Sequence, residues 1–327
     1  MKSFPKRLPR AARATLTSLT VLVTICFAGS FAVAAPISTG TVLPQYGIVS
    51  VGSTADIKMN SGPVRATVLV GFGSGVSASG GNMGAITGGV DNSTPNTGTN
   101  AFPNTAGCGT TQLACFSGLS TTPVTHLVAT SVAMQAFADA ATLSADARAL
   151  PATSPITSIG ANTVIQGNGG LNVINVGSVT NPFSGTTGVL MGGPNDLFII
   201  NVSGSFSSNQ AMKLQGVTAS QILWNFTGTG TVLNTSGGNT LYGTFLSTTN
   251  GARFQADALN VTGALINTGG HIEFVSGANL TFDPFIVPQQ EMVPEPDASS
   301  LLLFGMGLVA GVGALCRKLR LNFAAAP

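Results

Sequence analysis

The chain has 327 residues, of which only 13 are Lys or Arg and 11 are Asp or Glu, for a net charge of +2. Eight of those cations lie near the two ends, leaving Lys58, Arg65, Arg148, Lys213 and Arg253 scattered between them. Five separated cations make no basic face, which argues against DNA or RNA as a partner, and a body rich in Val, Ile, Leu and Phe with little net charge does not have the composition of a disordered chain.

The first 34 residues read as a secretory signal peptide. Lys2, Lys6, Arg7, Arg10 and Arg13 form a basic head, an apolar stretch runs from about Leu16 to Phe31, and Ala32-Val33-Ala34 is a small-x-small site for signal peptidase. About 255 residues then remain before the C-terminal tail, enough for one large all-β domain or two small ones, and 35–290 is taken as one domain.

From Val42 to Val90, short β-favouring runs (YGIVSVG, VRATVLVGFG) alternate with Gly-rich turns. The spacing changes at Asp91, where DNSTPNTGTNAFPNTA begins a segment rich in Asn, Thr and Pro, and a loop insert is expected over 91–120. Cys108 and Cys115 fall within it, separated by the six residues GTTQLA, with neither Cys-x-x-Cys spacing nor a metal-ligand cluster. In an exported protein they suggest a local disulfide. Between about 128 and 150 Gly disappears and Ala dominates. Val132 or Met134, Phe137, Ala140 or Ala141, and Leu143 or Ser144 recur at helical spacing, so one packing helix is predicted, ended by Pro151.

After Pro155 the strand signals return as TVIQG, LNVINVG, DLFIINVSGSF, AMKLQGV, QILWNF, TVLNTSG, TLYGTFLST, ALNVTGALINT, HIEFVS and ANLTFDPF. Short strands at such spacing suit a sandwich, a barrel or a solenoid. Alternation with small turn residues, and almost no charge to cover a lone sheet, favours a mainly β, β-solenoid domain with one packed helix. Phe198, Ile200, Val202 and Phe206 are expected on one side. Trp224, in QILWNF, reads as core rather than as a sugar-stacking platform.

The search for chemistry finds little. His126 and His271 are the only histidines, and neither sits in a metalloprotease, nucleophile-elbow or phosphate-loop motif. His271 and Glu273 share a strand face, which reads as solvated polar positions before it reads as an acid/base pair. No enzyme, cofactor or metal is expected.

The tail carries three unlike segments in order. Pro294-Glu295-Pro296 is followed by an uncharged run from Ala298 to Cys316 and then by Arg317, Lys318 and Arg320. Nineteen residues make a helix of roughly 28 Å, close to the roughly 30 Å of a bilayer core. The three cations would hold its far end in the cytoplasm and leave the body outside.

This tail (293–320) resembles the PEP-CTERM sorting signal of Gram-negative bacteria, which implies recognition and removal by a membrane-embedded exosortase after transient anchoring through the 298–316 helix. A second resemblance lies in the body, over 190–286. The strands Ile200 to Gly204 and Ile222 to Phe226, the turn Gly243 to Leu246 and the strand Val261 to Ile266 are similar to choice-of-anchor A domains. That family in turn resembles ice-binding-like β-helix proteins. The resemblance implies a β-solenoid with an adhesive or matrix-associated role in envelope, exopolysaccharide or biofilm, its partners being exopolysaccharide or matrix proteins. An ice-binding protein is the alternative, suggested locally by Thr227-Gly228-Thr229-Gly230-Thr231. A polysaccharide-modifying enzyme is the more distant one.

Overall fold

The computed structural model describes residues 37–52, 56–59, 63–71, 76–78, 85–86, 89–94, 125–257, 260–275 and 278–287. The chain divides into two units, Met1–Ile286 and Val287–Pro327, and the fold below belongs to the first. The signal peptide, the Cys108 and Cys115 pair, and the tail with Pro294, Glu295, Pro296, Arg317, Lys318 and Arg320 lie outside the described residues.

After a 3-10 turn at Leu43–Gln45 come β1 (Ile48–Val51), β2 (Asp56–Met59), β3 (Pro63–Arg65), β4 (Val68–Gly71), β5 (Val76–Ala78), β6 (Ala85–Ile86), β7 (Val90–Thr94) and β8 (Thr125–Ala129). The helix α1 (Thr130–Ala149) follows directly. Then come β9 (Ser158–Ile159), β10 (Val164–Gln166), β11 (Leu171–Val176), β12 (Ser178–Thr180), β13 (Val189–Met191), β14 (Leu197–Val202), β15 (Phe206–Ser208) and β16 (Leu214–Gln215). The remaining strands are β17 (Ile222–Phe226), β18 (Gly230–Thr235), β19 (Thr240–Ser247), β20 (Ala252–Asp257), β21 (Asn260–Asn267), β22 (His271–Val275) and β23 (Asn279–Phe282).

The strands pair in parallel and stack as a β-solenoid of about eight turns with one helix among the described residues. Two sheets dominate. The first runs β11-β14-β17-β19-β21-β1-β4-β7-β8, and the second, eight-stranded, runs β5-β2-β22-β20-β18-β15-β12-β9. The neighbour of β21 is therefore β1, from the other end of the chain. Coils 158–267 follow sequence order. The coil begun by β22 and β23 is completed by β1, and residues 48–94 continue the stack beyond it. Helix α1 spans this junction along the outer side of the first sheet, touching β1, β4, β7, β8, β14 and β19.

Register explains the cohesion. Along the first sheet one inward column reads Ile174, Ile200, Trp224, Phe245, Leu265, Ile48, Val68, Val90, each in register with the next. Along the second it reads Ile159, Val179, Phe206, Leu233, Phe254, Ile272, Ile57. All are buried, so the two columns face each other across a dry interior whose burial drives folding. Phe198, Ile200, Val202 and Phe206 join that core as expected, with Phe206 contributed from the second sheet. The strand β19 serves two sides of the coil and bends at Gly243 (φ 119°). Stacked on it, Gly263 (φ 148°) lies so close to the Gly243 carbonyl that a Cβ would collide with it.

Three expectations change. The segment 91–120 is not a loop from its start, because Asp91 to Thr94 continue β7, paired on both edges by β4 and β8. DLFIINVSGSF is two strands on different sheets, turned at Ser203 to Ser205. The helix spans Thr130–Ala149, but the stripe it buries is Ala133, Ala136, Asp139, Ala140, Leu143, Ser144 and Ala147. Met134 and Phe137 point outward. Small residues win the inner face because they let the helix axis approach a sheet that is already filled.

Candidate functional site

The accessible feature of the described residues is a face. Successive strand residues alternate sides, so each inward residue of the second sheet leaves polar neighbours outside. In register, one outward row reads Thr180, Ser207, Asn234, Gln255, Glu273, Lys58. Beside it run Ser158 and Ser178 at one end and Thr231, Arg253 and His271 further along. Neighbouring strands lie about 4.8 Å apart, so these rows present one polar group per coil at that interval.

The face has two zones. From β9 to β18 it carries hydroxyls and an amide, and from β20 to β2 it is ionic. There Glu273 is 7% exposed and lies between two cations. Lys58 Nζ is 3.3 Å from its Oε1, and an Arg253 Nη2–H donates to its Oε2. Burial pushes the Glu273 carboxyl up, but the hydrogen bonds and charges of Arg253 and Lys58 outweigh it and hold the group below its usual range. His271 stands beside it on β22 and is exposed. The two residues do share a strand face, yet the carboxylate is committed to Lys58 and Arg253, an arrangement that pins three strands together.

His126 lies elsewhere, at the β8 end of the first sheet, with Nδ1 3.2 Å from Asp91 Oδ1, while Tyr46 donates its hydroxyl to Asp91 Oδ2 at 2.7 Å. Burial, then the bond to Asp91, raises the Tyr46 hydroxyl well above its ordinary value. This cluster ties the entry to β1 onto β7 and β8. Among the described residues no three His, Cys, Asp or Glu side chains converge to hold a metal, and no helix is long and apolar enough to cross a membrane. A crevice between Leu143, Thr244 and Phe285 has a cavity volume of about 10 Å³, room for roughly one water.

The Thr227 to Thr231 run does not place three hydroxyls on one strand. β18 begins at Gly230, and Thr227 to Thr229 form the corner before it, where the Thr227 hydroxyl donates to the Val202 carbonyl at 3.4 Å. The regular array comes instead from different strands brought into register, which no single segment announces. Sequence reasoning also missed the amide ladder Asn175, Asn201, Asn225 beneath α1. Its signal was visible as an Asn inside three apolar runs, LNVINV, LFIINV and ILWNF.

Asp196 shows how the turns are held. It accepts the Gly169 N–H at 2.7 Å, the Gly193 N–H at 2.8 Å and the Asn172 amide at 3.0 Å. Burial pushes its carboxyl up, but the Gly193 N–H, the Asn172 amide and the N–H groups of Gly169 and Gly170 bring it below the usual carboxylate value. A depressed folded value adds stability above the unfolded one, near pH 4, that is lost as pH falls through the folded value. Asp196→Asn is expected to cost about 2 kcal/mol at pH 7, since its NH2 would face those N–H donors in one of its two positions. The gap from wild type should narrow below about pH 4, as measured by denaturation at both pH values. A gap independent of pH would show that the charge is irrelevant.

Among the described residues the chain is thus a β-solenoid with one packed helix and a broad polar face on its second sheet. The chain belongs to the family described as "Putative Ice-binding-like adhesive domain", whose model matches residues 28–267. Among solved structures it is similar to an ice-binding protein from the Antarctic ascomycete Antarctomyces psychrotrophicus, with 14% identity, covering 75% of this chain and 97% of that one at a TM-score of 0.47. It is also similar to the Arctic yeast ice-binding protein LeIBP, with 14% identity, 80% and 99% coverage and a TM-score of 0.47. A third is the DUF3494 domain of Shewanella frigidimarina ice-binding protein_1, with 14% identity, 76% and 99% coverage and a TM-score of 0.44. No curated protein matches the chain.

Proposed function

We propose that this is an exported surface protein that attaches to exopolysaccharide or matrix proteins through the outward face of its eight-stranded sheet. On this reading signal peptidase removes residues 1–34. The 298–316 helix anchors the chain transiently, and an exosortase acts at Pro294-Glu295-Pro296 to pass it to the envelope or extracellular matrix. The observation that carries the adhesive reading is the in-register row Thr180, Ser207, Asn234, Gln255 on four adjacent strands, and the family's adhesive description agrees with it. Each such contact contributes only about 0.5–1.5 kcal/mol, so attachment depends on many at once along the stacked coils.

Ice binding is the second reading, favoured by the same row and by the family's description. Against it stands the ionic zone of Lys58, Arg253 and Glu273 on the same face, because a neutral lattice offers no partner for charges that would have to lose water. The test compares wild type with Ser207→Tyr and Asn234→Glu, both at surface positions, for retention on matrix polysaccharide and for ice-crystal shaping. Adhesion predicts retention lost by several-fold in both variants, and no ice shaping by any form. Ice shaping by wild type alone, with retention absent throughout, would replace the proposal with the second reading.

Sorting has its own test. Replacing Pro294, Glu295 and Pro296 by Ala is expected to leave a longer, membrane-retained form in an exosortase-bearing host, because the spanning segment and basic end still stop transfer. Equal mass and equal fractionation would show that the motif is not read.

A further inference from the structure

A solvated helix ordinarily turns charged residues to water. From Ser131 to Ala145 no exposed position of α1 carries a charge, and its exposed polar residues, Ser131, Gln135 and Thr142, lie beside an apolar strip. Met134 and Phe137 are 58% and 45% exposed, and Ala138, Ala141 and Ala145 extend the apolar strip. A second observation concerns where the chain leaves the body. The Phe285 N–H donates to Thr244 Oγ1 at 2.7 Å, and Phe285 lines a crevice with Leu143 of α1. Residues 283–286 thus depart on the outer side of the first sheet, the side α1 covers, and Ile286 is 53% exposed.

We infer that this helix side is a lipid-apposed surface, with Met134 and Phe137 seated at the boundary between headgroups and acyl chains. The inference rests on the reading of 298–316 as a spanning segment. The segment 287–297, eleven residues long, reaches at most about 40 Å at ~3.5 Å per residue. An anchored chain is therefore never far from lipid, and a tether of that length converts weak apolar contact into frequent contact. Lipid lies within reach of every anchored chain whatever the density of other copies, which is why lipid is the occupant. The polar rows lie on the other sheet, so a chain seated this way keeps them turned to the matrix while it waits for processing.

The test places the photo-cross-linker benzoylphenylalanine at Phe137 or, as control, at Asn234 in the full chain. The chain is reconstituted into vesicles of phosphatidylethanolamine and phosphatidylglycerol and washed with alkali before illumination. Lipid adducts several-fold more abundant from position 137 than from 234 are expected, and Met134→Glu should reduce them without releasing the chain. A chain that survives the alkaline wash yet gives equal adducts from both positions overturns the inference and leaves the anchor reading intact. Cross-links from position 137 to a second copy overturn it in favour of a dimer. Loss of the chain in the wash defeats the anchor reading, and this inference falls with it.

Discussion

Trp224→Ala is expected to destabilise the protein by about 3–5 kcal/mol, the largest effect of any single truncation proposed here. The indole is fully buried and sits in the inward column between Ile200 and Phe245. It meets Phe206 edge-on at 5.0 Å and lies stacked over Phe245 at 6.1 Å. Parallel stacking places each ring one coil from the next, so a hole at Trp224 removes contacts from the coils above and below as well as from the opposite sheet. The alanine also leaves the Tyr242 carbonyl without the indole N–H that donates to it at 3.0 Å. Urea unfolding followed by far-ultraviolet circular dichroism measures the loss. A change below about 1 kcal/mol would mean that the interior collapses around the hole, which close packing of rigid sheets opposes.

Asn225→Ala is expected to cost about 2–4 kcal/mol, because buried polar groups that lose their partners retain the full penalty of having left water. Asn225 is fully buried between β17 and α1. It donates to the Ser144 carbonyl at 3.2 Å and to Asn201 Oδ1 at 2.8 Å, and it accepts the Ser144 hydroxyl at 2.8 Å. Asn201 repeats the arrangement one coil away, donating to the Ala147 carbonyl and to Asn175. The ladder thus bonds the helix to two coils through Asn225 and Asn201 and reaches a third through Asn175, its exposed outermost member. Substitution by Ala should be progressively milder from Asn225 through Asn201 to Asn175, with the last near 0.5 kcal/mol. Limited proteolysis of α1 should follow the same order, and equal susceptibility in all three would show that apolar packing alone seats the helix.

The two effects together define what each side of the first sheet does. Its inner side is bound by aromatic and aliphatic columns that any sufficiently apolar residues could approximate. Its outer side is bound by a few amides whose positions must match helix carbonyls, and that requirement specifies where α1 lies. With the helix so placed, the outer face of the second sheet is left open among the described residues, and this is the face on which the proposed attachment depends.

Much of this was legible in the sequence. Runs such as LNVINV and ILWNF combine strand-favouring residues with Gly or Asn at their ends, and strand formation there is a local matter of sterics and turn chemistry. Likewise an Ala-rich, Gly-free stretch ended by Pro151 is a helix wherever it lies. The core placement of Trp224 followed from its apolar neighbours. The readings of the two termini, with Pro294, Glu295 and Pro296, rest on linear patterns alone and lie outside the described residues. What tertiary structure decided was everything that depends on register. That β1 pairs with β21, that DNST at 91–94 is a strand, that Met134 faces out while Ala133 faces in, and that Thr180, Ser207, Asn234 and Gln255 form one row are relations between segments far apart in the chain. Parallel coils carry no code for their neighbours beyond apolar size and small turn residues, so the choice among pairings is made only when the columns close on a common interior.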